Sequence, residues 1–336
     1  MARSQANVFY AVNALAVLLC FAVIMVGAYV RLSNAGLGCP DWPGCYGHLD
    51  VPAPGAERAA ANAAYPTNPV QPAKAWKEMI HRYLASTLGL LILCMAGLAW
   101  WRRREPGQQR WLPGLLLLLV VFQGLLGMWT VTLLLKPLIV TGHLLGGMAT
   151  LALLWLCLLR QGKTMSRLQA TVVVRGLAAL ALAVLFLQLF LGAWTSTNYA
   201  GLACPDFPTC LGQWWPRTDF AAAFTLWHGL SVNYAGGVLD SAARATIHVS
   251  HRLGALVTAC VVLLLTATMW RLGNRQRGWR GLAVALVLVT ALQVGLGISI
   301  VLAHLPLGLA VAHSGGAALL VLAVMAINHA AWGGRT

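Results

Sequence analysis

Glu78-Met79-Ile80-His81-Arg82 stands at the head of one long apolar run, and His248-Val249-Ser250-His251-Arg252 stands at the head of another. The second motif lies 170 positions after the first, and each is followed 62 positions after its shared histidine by a further one, His143 after His81 and His313 after His251. Gln123 and Gln293 repeat at the same offset of 170, as do Gly127 and Gly297. One constant offset across several anchors predicts an internal duplication. The repeated feature is a histidine pair on apolar segments, so the expected function is a ligand site present twice.

Working outward from these motifs, apolar runs long enough to cross a bilayer recur eight times, at roughly 10–30, 78–100, 112–134, 138–160, 171–195, 244–270, 280–303 and 306–331. Backbone polar groups in lipid must be satisfied within each segment, which makes these runs helices. A soluble bundle would need polar faces on most of them, and they have none. The expected fold is therefore an all-α membrane protein of eight transmembrane helices. Residues 1–165 and 166–336 would be its two four-helix-bundle repeats. An even number of spans per repeat makes the repeats parallel, with a pseudo-two-fold axis along the membrane normal.

The net charge of +15 invites a nucleic-acid reading, but its distribution excludes it. The linkers from Arg102 to Arg110, Arg160 to Arg175 and Arg271 to Arg280, with Arg3 and Arg335, hold 14 of the 23 Lys and Arg on one side of the membrane. Positive loops stay cytoplasmic, so both termini face inward. The first span starts within ten residues of Met1 with no cleavage motif behind it. A bacterial inner-membrane protein with an uncleaved first helix is expected, a mitochondrial source being the alternative.

Two long outer loops, 31–77 and 196–243, carry a second repeat at offset 165: Cys39-Pro40-Asp41-Trp42-Pro43-Gly44-Cys45 matches Cys204-Pro205-Asp206-Phe207-Pro208-Thr209-Cys210. On an oxidising face, a disulfide within each loop is the plainer expectation, and a metal-binding or redox-exchanging pair the sharper one. Cys20, Cys94, Cys157 and Cys260 fall within spans and read as small apolar residues. His48, His228, His304 and His329 have no counterpart and read as structural or surface residues.

Ionisable residues inside spans are costly and mark function. Zinc wants three or four closely placed ligands, more than a histidine pair supplies. Haem iron wants one or two axial ligands and a flat apolar slot, which facing helices of a bundle provide. Gly146-Gly147 and Gly315-Gly316, just after His143 and His313, would admit a macrocycle. Arg82 and Arg252 are candidates for binding its propionates. Glu78 lies three residues before His81 on the same helix face, whereas its counterpart is His248, so an acid accompanies only the first pair.

Gly36 to Gly47 of the first loop, Glu78-x-x-His81-Arg82, His143, His251-Arg252 and His313 together resemble the haem A synthase family over nearly the whole chain. The resemblance implies oxidation of a ring methyl of haem O to a formyl group through a hydroxymethyl intermediate, giving haem A for terminal oxidases. It implies that His81 and His143 hold the substrate haem, that His251 and His313 ligate the iron of a haem b cofactor, and that Glu78 is catalytic. Expected partners are a haem O synthase supplying substrate, an electron donor and membrane lipid, with a homo-oligomer left open and no nucleic acid. The alternative is a membrane haem b electron carrier or a haem transporter.

Overall fold

A computed structural model describes residues 2–105, 109–161, 168–229, 232–274 and 276–333. The boundary expected at 165/166 and Arg335 lie outside them. The described residues form ten helices: α1 Ala2–Leu32, α2 Ala56–Ala64, α3 Pro72–Trp101, α4 Trp111–Thr132, α5 Pro137–Gln161, α6 Val172–Thr197, α7 Phe220–Ala223, α8 Ser241–Leu272, α9 Arg277–Leu302 and α10 Leu307–Trp332. All but α2 and α7 are long and apolar enough to span a membrane, so the chain is a multi-pass membrane protein.

The helix starts follow from local chemistry. Pro72 and Pro137 open α3 and α5, where proline's missing N–H costs nothing. Thr171 and Asp240 cap α6 and α8, their side chains accepting from Val174 N and Ala243 N. The C-terminal ends of α4 and α9 close without glycine. Leu134, Leu135, His304 and Leu305 all take positive φ, between 51° and 65°. Their cost is offset by returning N–H bonds, Leu135 N to Thr130 O and Leu305 N to Ile300 O, both 2.8 Å.

Several helices begin earlier than their apolar runs, α1 and α9 among them, and two of these starts bear on the histidines. α3 starts at Pro72 rather than near 78, and α8 at Ser241 rather than near 244. Lys74, Lys77 and Arg244 make these first turns too polar to read as membrane, but capping and packing make them helical. His81 and His251 therefore lie between two and three turns from their helix starts rather than one to two.

The packing is two rings of four. In the first, α1 touches α3, α3 touches α4, α4 touches α5, and α5 returns to α1. In the second, α6, α8, α9 and α10 close in the same way. The rings meet through α1, α5, α6 and α10. A shared core of Ile92, Met95, Leu116, Leu154, Leu265, Met269, Leu286 and Val324 fills the end away from the long loops. The outward faces remain apolar: Leu118 and Leu288 are 68% and 64% exposed, as lipid contact requires and water would penalise.

Candidate functional site

His81 on α3 and His143 on α5 come from helices that stand opposite each other in the first ring. His251 on α8 and His313 on α10 stand opposite each other in the second. Each imidazole packs against a glycine of an adjacent helix. A β-carbon built at Gly27 would lie 2.8 Å from His81 Cε1, and at Gly192 it would lie 3.0 Å from His251 Cε1. The corresponding distances are 3.5 Å from Gly127 to His143 and 3.1 Å from Gly297 to His313. At Gly27, Gly192 and Gly297 a side chain would press on the ring, whereas at Gly127 it would meet only ordinary van der Waals contact.

Three glutamines line the same level. Gln123 lies over Gly146, Gln293 over Gly316 and Gln188 over Gly254. Gln293 Nε2 is 3.2 Å from His313 Nε2, and Gln188 Nε2 is 3.0 Å from His251 Nδ1 and donates to His251 O. Gln188 is a residue that repeat logic passes over: Val23 stands 165 positions earlier, so nothing marks it. His81 Nδ1, His143 Nδ1, His313 Nδ1 and Gln123 Nε2 are buried without a partner. Buried polar atoms ordinarily find one. Opposed imidazoles with orphaned nitrogens, walled by glycine in apolar rings, fit a haem with two axial ligands. Among the described residues no group of three or more His, Cys, Asp or Glu gathers as a metal site.

The long loops fold over these rings and are held alike. Cys39–Cys45 and Cys204–Cys210 are disulfides, their Cα atoms 4.8 Å and 4.5 Å apart. Asp41 accepts from Tyr46 N and Gly47 N at 2.6 and 2.7 Å, and Asp206 accepts from Leu211 N and Gly212 N at 2.6 and 3.0 Å. The Thr209 hydroxyl also donates to Asp206 at 2.5 Å. Together these donors, Thr209 foremost and the two amides with it, hold the Asp206 carboxyl down at about 2.

The residues flanking the histidines serve the loops. Arg82 donates to Pro43 O and Gly44 O, while Arg252 donates to Thr209 O, Cys204 O and Asp206 O at 2.8 to 3.0 Å. These guanidiniums, read from sequence as propionate binders, are engaged by backbone carbonyls. Glu78 is 5% exposed; its Oε2 accepts from Cys39 N at 3.0 Å and its Oε1 pairs with Arg82 at 2.6 Å. His248 takes the equivalent place in the second half, where Cys204 N lies 3.4 Å from its Nδ1. The remaining histidines stand apart: His48 bridges to Cys45, His228 packs edge-on to Tyr234, and His304 ends α9's turn.

The sequence model of the COX15-CtaA family, described as cytochrome oxidase assembly protein, matches residues 11–325. The heme A synthase of Shewanella oneidensis is 47% identical over 313 residues, covering 92% of each chain. The heme A synthase of Caulobacter vibrioides is 29% identical over 320 residues, 90% of this chain and 89% of that one. That of Halalkalibacterium halodurans is 28% identical over 303 residues, covering 87% and 86%.

Proposed function

The chain belongs to the COX15-CtaA family, and from that premise we infer that it is a haem A synthase, an oxidoreductase acting on haem. In the finer reading, haem O is the substrate and is held in the first ring by His81 and His143. Haem b is the cofactor and is held in the second by His251 and His313. The observation that carries this division is the exchange of one acceptor. Both loops hang on the residue three before a ring histidine, but that residue is Glu78 in the first ring and His248 in the second.

Bound in the second ring, haem b supplies one-electron transfer. The chain's own part is to hold and orient. Gly192 and Gly297 leave room for the Cε1 edges of the imidazoles to approach α6 and α9, and Gln188 holds His251 at Nδ1. In the first ring, each step is a two-electron oxidation of the carbon that breaks a C–H bond: the first forms a C–O bond to oxygen drawn from water or dioxygen, and the second takes two hydrogens from the hydroxymethyl to leave formyl. Glu78, one turn before His81, is placed to accept a proton or to stabilise positive charge on the substrate. Arg82 pairs with this carboxylate and fixes its position, and the Cys39 amide of the disulfide loop holds its other oxygen.

The two halves are read as a tandem duplication, parallel in the membrane, with both termini cytoplasmic and both cysteine loops outside. Basic clustering in the short linkers supports that orientation. The plasma membrane of a bacterium is the proposed location. A haem O synthase and an electron donor are the proposed partners, besides lipid and a second copy of the chain. Pigment extracted from the purified protein tests the function: haem A or its hydroxymethyl precursor beside haem b is expected. Haem b alone, with added haem O left unconverted, would make the protein an electron carrier instead.

A further inference from the structure

A cavity of about 420 Å³ opens at the loop side of the first ring, where the two halves meet. Its lining includes Arg31, Lys74, Asn34, Asn68, Tyr46 and Tyr199. Two cations therefore share it with neutral residues. The ion pairs among the described residues are Arg82–Glu78 and Arg102–Glu105, so neither Arg31 nor Lys74 has a carboxylate partner there. Arg31 donates to Ser196 O at 2.5 Å and lies over the Tyr199 ring at 4.2 Å, one carbonyl for a group with five donors. A half-buried cation left without an anion is costly unless something completes it.

Both cations stand on the line of the first-ring histidine. Arg31 is four residues beyond Gly27, the glycine against which the His81 ring packs, and so shares its helix face. Lys74 is seven residues before His81, two turns and about 10 Å outward on the same face of α3. The arginines beside the histidines are occupied with loop carbonyls, whereas Arg31 and Lys74 line the cavity without a carboxylate partner among the described residues. The second half lacks the arrangement: Ser196 stands where Arg31 would be, and Arg244, the counterpart of Lys74, contacts its own Asp240 O at 3.4 Å.

We propose that this cavity is an anion site which receives the propionate carboxylates of the substrate porphyrin, Arg31 gripping one as a planar fork and Lys74 acting as a point charge. The proposal rests on the first ring being the substrate site. It makes Arg31 the residue that assigns a free haem to the first half rather than the second.

The test is a titration of the full-length protein, its resident haem in place, with haemin and with haemin dimethyl ester, whose propionates carry no charge. The wild type should prefer haemin by roughly tenfold or more. Arg31→Gln with Lys74→Gln should erase that preference while leaving affinity for the ester unchanged. Arg31→Lys with Lys74→Arg, which keep both charges, should retain most of it. A double Gln variant with the wild-type preference would overturn the anchor. An added-haemin spectrum indifferent to His81→Ala would overturn the underlying reading of the first ring instead. Loss of the preference in phosphatidylglycerol bilayers but not in phosphatidylcholine would reassign the cavity to lipid phosphate and reject the porphyrin.

Discussion

The loop over the first ring hangs on a carboxylate; the loop over the second hangs on an imidazole. In both, the acceptor sits three residues before a ring histidine and takes the N–H of the loop's first cysteine, Glu78 for Cys39 and His248 for Cys204. In both, an arginine one residue after that histidine clamps the loop's carbonyls. The scaffolds are therefore alike and the charge is not. Glu78 gives Arg82 an anion at 2.6 Å, whereas Arg252 donates to carbonyl oxygens and lies 5.7 Å over the Phe207 ring. A site built twice can specialise by changing one side chain in each copy while the ligands stay. The comparison gives loop suspension to Glu78 and His248 alike; chemistry is a second duty proposed for Glu78 alone.

The histidines offer the largest effect and the most direct way to break this contrast. Replacing His251 or His313 with Ala should abolish the low-spin absorbance of the resident haem b, while His81→Ala should leave it intact. Spectra of the purified variants decide this, and the reverse dependence would exchange the roles assigned to the two halves.

Next in size is Glu78 itself. Glu78→Gln keeps an oxygen for Cys39 N but removes the charge, so haem b should stay bound while haem A formation falls by about 10²-fold or more, with haem O or the hydroxymethyl intermediate accumulating. Glu78→His imports the second ring's solution and should hold the loop without restoring turnover. Glu78→Ala strands Arg82 as a half-buried charge and costs about 3–5 kcal/mol, so it should also destabilise the loop. Chromatography of extracted haems, set beside thermal unfolding, separates the two duties. Full turnover in the Gln variant would leave Glu78 with only the structural one.

A finer comparison comes from the glycines that face the imidazoles. Gly27→Ala and Gly192→Ala place a methyl at 2.8 and 3.0 Å from a histidine ring, so each should weaken haem binding in its own half. Gly127→Ala, at 3.5 Å, is ordinary van der Waals contact and should be tolerated. Haem content per protein in the three variants measures this. Equal loss at Gly127 would mean that helix packing rather than ring contact sets the requirement.

How much of this was legible in the sequence depended on whether a feature was repeated or apolar. The eight spans and the four ring histidines could be read because apolar length and a constant offset record them directly. The extra turns of α3 and α8 were missed because Lys74, Lys77 and Arg244 interrupt the apolar run. α2 went unread within the first loop, an alanine-rich helix that buries only Ala61. The bond from Cys39 N to Glu78 leaves no trace in a string of side chains, since its donor is backbone. Gln188 and Arg31 were passed over for the opposite reason: their counterparts are Val23 and Ser196, and a search for matches discards what differs. Those unmatched positions are where the proposed asymmetry between the halves is to be tested.

The smallest expected difference lies in the loops' own turns. Asp206 and Asp41 bind their loop amides alike, but the Thr209 hydroxyl that supports Asp206 has Gly44 as its counterpart in the first loop. The Asp206 carboxyl is held at about 2, below its ordinary 3.8. A depressed carboxyl contributes stability that is complete above its unfolded value and is lost as pH falls through the folded one. The second loop should therefore lose its protection as pH falls from about 3.8 to about 2, where protonation releases the amides of Leu211 and Gly212. Thr209→Val removes the leading donor, raises the carboxyl's pKa and should move that loss to higher pH. The rate at which a phosphine, active in acid, reduces Cys204–Cys210 measures it, with Cys39–Cys45 as the internal reference. A pH profile unmoved by Thr209→Val would show that the backbone amides alone set the charge of Asp206.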